Sequence, residues 1–451
     1  MARVLPFVGT RYNPKAIEDL SAVMAPPYDV ITPEMQKEMY ERSPHNIVRL
    51  ILGKEQVDDD EYNNKYQRAG SYLREWKGNG TLIDDPCKNF YVYQQEFRTP
   101  DKKMHVRTGF FAAVLLEDPD KGMVRAHEHT FEGPKADRLK LLRSTHCNLS
   151  PIFCLYSDPG KETDALLASV TAEEPPRTEL TDSDRATHRL WLMPNAAKVK
   201  KLSSMLQDTE FLIADGHHRY ETALQYCREM RSKGEGEKAE AASYAYAMTF
   251  LTNCESEGLV ILPTHRVLSR ELGEGVEHDE VVEDLSQFFD LQPRQVDLKK
   301  TASEGVRLCA EIEDLGRRTN AFALVLPGGR GYLLSLKPNV DPASEMREDV
   351  PAAIAKLDVS ILHEYILAKV WVGNPEIELD DRDIEYVKDP GAALKMLGPP
   401  TFASGVFLMN QPSMEEVREI TSQNLRMPHK TTYFYPKLLS GMVLRDLSAP
   451  W

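Results

Sequence analysis

The chain of 451 residues contains no apolar run approaching the ~18 residues that a membrane-spanning helix needs, so no role across or in a membrane is expected. It also lacks a positive balance. Lys and Arg number 55 against 70 Asp and Glu, a formal charge of −15 that repels nucleic acid and anionic membrane surfaces unless basic residues are gathered in a patch. Neither is therefore an expected partner. The six cysteines include no C-x-x-C pair, which argues against a zinc ribbon or a disulfide framework and for reduced thiols. Met1-Ala-Arg-Val-Leu-Pro-Phe lacks the long apolar segment of a signal peptide, and a cytoplasmic location is expected. No G-x-x-x-x-G-K-[S/T] and no G-x-G-x-x-G occurs, so neither a P-loop nor a Rossmann mechanism is expected.

What is present is an ordinary globular composition, 41% hydrophobic and 28% charged, in a length that suggests two or three domains. One stretch stands out. Residues 211–214 form a short apolar run suited to a buried strand, Asp215-Gly216 is a turn signal, and Tyr220, Ala223, Leu224 and Cys227 then recur at helical spacing. A helix starting near His217 carries His217, His218 and Arg219 in its first turn, where the positive end of the macrodipole favours acids. A bound anion resolves that conflict, because first-turn amides and cationic side chains together make a phosphate or carboxylate site. The plain alternative is that Asp215 is an N-cap and the histidines are surface residues.

Elsewhere, the Pro26-Pro27 pair makes a rigid loop around Tyr28 and Asp29. Residues 47–52 resemble a buried strand, 90–97 and 106–116 a hairpin, and 173–185 a surface loop. Residues 234–240 form a charged connector, and 321–326 with 331–336 a second hairpin. Two stretches without any acid interrupt the acidic chain. Residues 138–157 carry Arg138, Lys140, Arg143 and His146, and residues 424–445 carry Arg426, His429, Lys430, Lys437 and Arg445 around Thr431 and Thr432.

Four islands thus hold the chemistry: Tyr28-Asp29, 127–146, 215–219 and 429–437. Together they offer carboxylates, histidines, fixed cations and hydroxyls, the inventory that orients a hydroxyl nucleophile and holds a phosphoryl group. His127, His129, His217 and His218 are also an inventory for a transition metal, although their spacing matches no standard zinc pattern. Glu128 reads equally as a general base or as a solvated loop carboxylate. Lys430-Thr431-Thr432 reads as an anion-binding loop or an ordinary basic one, and Asp29 as a ligand to an amine or magnesium or as a loop-fixing turn residue. His265-Arg266, at a strand end, is expected to be structural.

Asp215-Gly216-His217-His218-Arg219 resembles the signature of free serine kinases of the ParB and sulfiredoxin-like superfamily, and Gly216, Arg219 and Ala223 fit its broader G-x-x-R-x-x-x-A pattern. Pro428-His429-Lys430-Thr431-Thr432 is similar to the Ser-Pro-Lys-Thr-Thr loop near the C-terminus of an archaeal member. Together with Ala25-Pro26-Pro27-Tyr28-Asp29-Val30 and His127-Glu128-His129-Thr130, these motifs resemble a large bacterial domain-of-unknown-function family, number 1015, over most of the chain.

The resemblance implies a mixed α/β fold with a ParB/sulfiredoxin-like core, mixed sheets and large α/β elaborations. It implies phosphorylation of free L-serine to O-phospho-L-serine, with ADP, ATP or pyrophosphate as donor and magnesium as the expected cofactor. Glu128, Asp215 and His218 are the implied catalytic residues, although the kinases place their glutamate after Pro-His and here Ala126 precedes His127. His217, Arg219, His429, Lys430, Thr431 and Thr432 are assigned to phosphate, and Tyr28, Asp29, His127 and Arg143 to the substrate. The expected division is 1–125 as an N-terminal subdomain, 126–270 as the core with the Asp-Gly-His-His-Arg turn, and 271–451 as a C-terminal subdomain returning the Lys-Thr-Thr loop to the cleft. A homodimer, the identity of any metal, and two other functions stay open: a ParB-like nucleotide-binding or DNA-associated module, and a metal-dependent hydrolase.

Overall fold

The structure, a computed structural model, describes residues 4–119, 122–233, 242–347, 349–374, 379, 382–428 and 430–448. It divides into two compact units: residues 1–99, 104–260 and 436–451 form one, and 100–103 with 261–435 the other. The expected border at 125/126 falls inside the first unit, and the chain enters the second ten residues before the expected border at 270/271.

Among the described residues, the first unit is built on a nine-stranded mixed sheet. Its strands in chain order are β1 (Val4–Leu5), β2 (Phe90–Arg98), β3 (Met104–Leu115), β4 (Val124–Arg125), β5 (Ile152–Tyr156), β6 (Thr178–Thr181), β7 (Thr187–Met193), β8 (Phe211–Asp215) and β9 (Tyr246–Asn253). Across the sheet the order is β4-β8-β5-β9-β3-β2-β7-β6, with β1 also on β3. β8 runs parallel to β4, and β5 parallel to β9; the remaining pairs are antiparallel. Phe90, Tyr91, Val92 and Tyr93 are all buried. Such a run without alternation marks a strand covered on both faces.

Three helices bear on the site: α1 (Lys65–Gly78), α2 (Glu132–Thr145) and α3 (His217–Ser232). α2 packs against both α1 and α3. The buried residues of α3 are His217, Tyr220, Thr222, Ala223, Tyr226 and Cys227; Tyr220, Ala223 and Cys227 were expected there, whereas Leu224 is only partly buried.

The second unit carries a six-stranded antiparallel sheet of β10 (His265–Leu268), β11 (Phe289–Gln295), β12 (Ala321–Val325), β13 (Arg330–Leu336), β14 (Ile384–Val387) and β15 (Gly405–Met409), in the order β11-β13-β12-β15-β10-β14. Val267, Ala323, Val325, Leu333, Val406 and Leu408 from one face of it join Leu308 and Ile312 in a core.

Two expectations are corrected. Residues 47–52 contain a short helix, Val48–Ile51, instead of a strand. A brief apolar run looks alike in either state, and here the Asn46 side chain accepts from the Val48 amide at 2.9 Å and turns the backbone into helix. Within 173–185, β6 pairs with β7, burying Thr178 and Leu180 and exposing Glu179 and Thr181. The Asp182 carboxylate accepts from the Asp184 and Ala186 amides, so the Asp-rich part is the turn of a hairpin. The charged connector at 234–240 lies outside the described residues.

Candidate active site

The site starts from a backbone irregularity. The register between β8 and β5 shifts between Ile213 and Asp215, and the chain then turns through Gly216, whose φ is +89°. A side chain is strained at that angle. A Cβ on Gly216 would also lie 2.9 Å from the Arg219 guanidinium carbon, because Arg219 folds back over the turn. α3 therefore begins without a capping side chain and without an acid in its first turn, as the sequence pattern suggested.

Folding back brings the Arg219 guanidinium onto the Asp215 carboxylate and the Pro151 carbonyl. The other Asp215 oxygen receives the Lys437 ammonium. Burial pushes the Asp215 carboxyl up, but Lys437 and Arg219 outweigh it and hold it well below the usual carboxylate range. Asp215 is thus a fixed anion shared by two cations. Such a carboxylate is a poor proton acceptor and a good scaffold for positive charge. The surplus cation leaves the turn able to attract a negatively charged group.

Lys437 is held from its backbone. The Gln95 side chain on β2 donates to the Lys437 carbonyl at 3.2 Å, and Arg107 on β3 donates to the neighbouring Pro436 carbonyl. Arg107 also donates through Nε to Gln95 at 3.1 Å and lies 4.8 Å from the centre of the Phe153 ring.

Beside this ion cluster stand three groups from the segment after β4. His127 is fully buried, and its Nδ1–H donates to the Ile213 carbonyl at 2.6 Å. Burial lowers its pKa to about 4, so the imidazole is neutral and Nε2 carries a lone pair. The His127 amide donates to His217 Nε2 at 3.4 Å, which leaves the proton of His217 on Nδ1. The two rings meet edge to face at 4.6 Å. Glu128 sits between them, one oxygen 3.8 Å from His127 Nε2 and the other 3.8 Å from His217 Nδ1.

His218 faces the next turn of chain. Its Nε2 accepts from the Phe131 amide at 3.0 Å, so its Nδ1 bears the proton. Burial lowers its pKa, with Asp29 and Glu221 acting against that and Lys135 and Arg219 adding to it. Glu221 receives Thr130 Oγ1 at 2.6 Å and Lys135 at 3.3 Å, which pins the 127–135 segment to α3.

Tyr28 and Asp29 sit in a short helical turn, Tyr28–Val30. The Arg138 guanidinium lies 3.9 Å above the Tyr28 ring. Burial raises the Tyr28 hydroxyl, Asp29 raises it further, and Arg138 and Arg219 pull it down. Asp29 in turn acts on His218. His127, Glu128, Asp215, His217, His218 and Arg219 are thus gathered around one turn, and Tyr28 and Asp29 lie within electrostatic reach of Arg219 and His218.

Arg143 is not among them. It pairs with Glu229 on α3 at 2.6 Å and is half exposed. Eleven residues separate Glu229 from His218, about 16 Å along a helix.

Lys430, Thr431 and Thr432 belong to the second unit, and His429 lies outside the described residues. Lys430 has φ +55° and its ammonium rests 4.1 Å over the Tyr386 ring. Thr431 donates to the Pro428 carbonyl at 2.6 Å. His265 and Arg266 are both buried.

The residue given no role at the level of sequence is Lys437. Its signal was present, since it lies in the acid-free run 424–445, but nothing in a linear pattern pairs it with Asp215. Among the described residues, no group of three or more His, Cys, Asp or Glu side chains is placed to hold a metal ion.

Fold and site define a mixed α/β protein with a cation-flanked carboxylate at the start of a helix. The chain belongs to the family described as protein of unknown function, DUF1015, which matches residues 4–360. Among solved structures it is similar to a free serine kinase in complex with AMP, at 15% identity over 72% of this chain and 86% of that one, with a TM-score of 0.32. It is also similar to a conserved hypothetical protein from Pyrococcus furiosus (15% identity, 73% and 92% covered, TM-score 0.30) and to SbnI with a C-terminal truncation from Staphylococcus aureus (9%, 73% and 85%, 0.32). No curated protein matches the sequence.

Proposed function

We propose that the protein is a phosphotransferase that converts free L-serine to O-phospho-L-serine, drawing on ADP, ATP or pyrophosphate. The observation that carries this reading is the Asp215 carboxylate held between Arg219 and Lys437 at the amino end of α3. Positive charge in surplus over a fixed anion, next to first-turn amides, suits a phosphoryl group whose charge must be neutralised as it moves.

In this reading Glu128 takes the proton from the serine hydroxyl. His127, one oxygen's neighbour, is an uncharged imidazole and does not quench it as a base. His218 offers its Nδ1–H to a phosphoryl oxygen, and Tyr28 and Asp29 meet the amino acid. Asp215 serves as the anchor of the two cations and not as the base, because its proton affinity is depressed.

Magnesium is expected from the family resemblance, yet the described side chains do not offer it a protein cage. Magnesium commonly binds largely through substrate phosphates and water, and in this reading it arrives with the donor.

The test is to incubate the purified protein with L-serine, magnesium and each donor in turn and to follow O-phosphoserine by phosphorus NMR. Product with at least one donor, lost in Glu128→Gln, supports the reading; no product with any of the three sinks it.

A further inference from the structure

The second unit holds a small cavity, open at its mouth and lined by Thr264, Arg266, Asp358, Asn410, Gln411 and Thr431 among others. Arg266 is 1% exposed. Its guanidinium donates to His363 Nε2 at 3.1 Å, to the Thr264 carbonyl, and to the Lys430 carbonyl at 3.5 Å, and it lies 5.0 Å from the Tyr386 ring centre.

None of these partners is an anion. His363 accepts through a lone pair, and burial together with the charge of Arg266 holds its pKa down to about 3. Burying a cation among neutral groups is costly, and the cost is relieved by a counter-charge. Burial accordingly pulls Arg266 down to about 10.

Asp358 lines the same cavity and does not pair with Arg266. One of its oxygens accepts from Asn320 Nδ2 at 2.7 Å. Burial pushes its carboxyl up to about 7, a hydrogen bond from Asn320 opposes that, Glu416, a third charged residue on the cavity wall, adds to it, and a hydrogen bond from Asn410 again opposes it, so both of its partners are neutral amides. Glu416 is occupied in part by Ser413, whose amide and hydroxyl reach its carboxylate at 2.7 and 2.8 Å. A fully buried guanidinium and a partly buried carboxyl therefore face one void without touching each other.

The geometry points to a binding site in this cavity for a small free amino acid, its carboxylate on Arg266 and its ammonium on Asp358. A single zwitterion supplies both missing counter-charges, whereas a simple anion would face Asp358 and Glu416, and a simple cation would face Arg266. The site goes beyond the proposed reaction and does not depend on it.

The experiment is calorimetric titration of the full chain with glycine, β-alanine and 4-aminobutanoate, which lack a hydroxyl to phosphorylate and together act as a ruler for the charge separation. Acetate, methylammonium and inorganic phosphate are the single-charge controls. At least one zwitterion is expected to bind saturably, with Kd raised tenfold or more in Asp358→Asn and in Arg266→Gln and unchanged in His218→Ala. Asp358→Asn is nearly isosteric and keeps an oxygen for Asn320, so it decides the matter even where Arg266→Gln fails to fold. The assignment is overturned if no zwitterion binds, if binding survives Asp358→Asn, if His218→Ala abolishes it, or if acetate or phosphate alone binds as tightly.

Discussion

The Lys437 ammonium contacts the Asp215 carboxylate across 222 positions of chain, and both side chains are 13% exposed. The pair joins the segment 436–451 to the turn that begins α3, within one compact unit. The family match ends at residue 360, so the second cation on Asp215 comes from sequence outside the matched region.

Removing that cation has a direct consequence. In Lys437→Met the strongest charge favouring ionised Asp215 is gone, and Arg219 alone must hold it. Stability is expected to fall by about 3 kcal/mol, the scale of a broken buried ion pair. Turnover in the proposed serine phosphorylation is expected to fall by about two orders of magnitude, as for loss of one preorganised electrostatic group. Chemical denaturation and initial rates measure the two effects separately; a variant with wild-type values of both would show the contact to be idle.

His218 distinguishes its two nitrogens. Because Nε2 accepts from Phe131, the proton available to a ligand is on Nδ1. Asparagine places its amide nearer the position of Nδ1 and glutamine nearer that of Nε2. His218→Asn should therefore keep at least tenfold more activity than His218→Gln, with little difference in melting temperature. Equal loss in both variants would mean that the Nδ1 proton is not used.

Gly216→Ala tests the turn itself. A φ of +89° and a Cβ 2.9 Å from the Arg219 guanidinium should cost about 1 to 2 kcal/mol. The same clash should move Arg219 off Asp215 and lower turnover more than stability. Thermal melts and rates at a temperature where both proteins are folded would show whether turn geometry and activity are coupled.

His127 sets a pH dependence of stability. Its pKa is lowered to about 4 in the folded chain from an ordinary value of 6.5. Between these values the unfolded chain binds more protons than the folded one, so stability rises with pH across that window and is complete above about 6.5. The contribution lost on acidification to pH 4 is about 3 kcal/mol. His265 and His363, each lowered to about 3, act in the same direction in the second unit. His127→Asn keeps a donor for the Ile213 carbonyl and should flatten the profile between pH 4 and 6.5 by roughly a third. Urea melts at half-unit pH steps would reveal a slope left unaltered, which would place the titration elsewhere.

Sequence alone determined what depends on neighbours in the chain. Strand β8, the Asp215-Gly216 turn and the face of α3 follow from an apolar run, a residue that tolerates positive φ and a 3.6-residue period, all local properties. The presence of cations where the helix dipole disfavours them was equally plain. What local pattern could not decide was conformation where two states share a pattern, as at Val48–Ile51, which is helix where the Asn46 side chain accepts from the Val48 amide. Nor could it separate Arg143 from the site, since only packing of α2 on α3 delivers Glu229 to it.

The ionisation of Asp215 is set by tertiary structure. In the chain Asp215 is a carboxylate before a glycine, open to reading as a catalytic residue or as a cap. Folding places Arg219 and Lys437 on its two oxygens in a buried setting, where charge is poorly screened and proton affinity collapses. Lys437 reaches it because Gln95 and Arg107, on two central strands, hold the backbone at Pro436 and Lys437. Contacts of that span are set by sheet order and register, and these are properties of the whole chain.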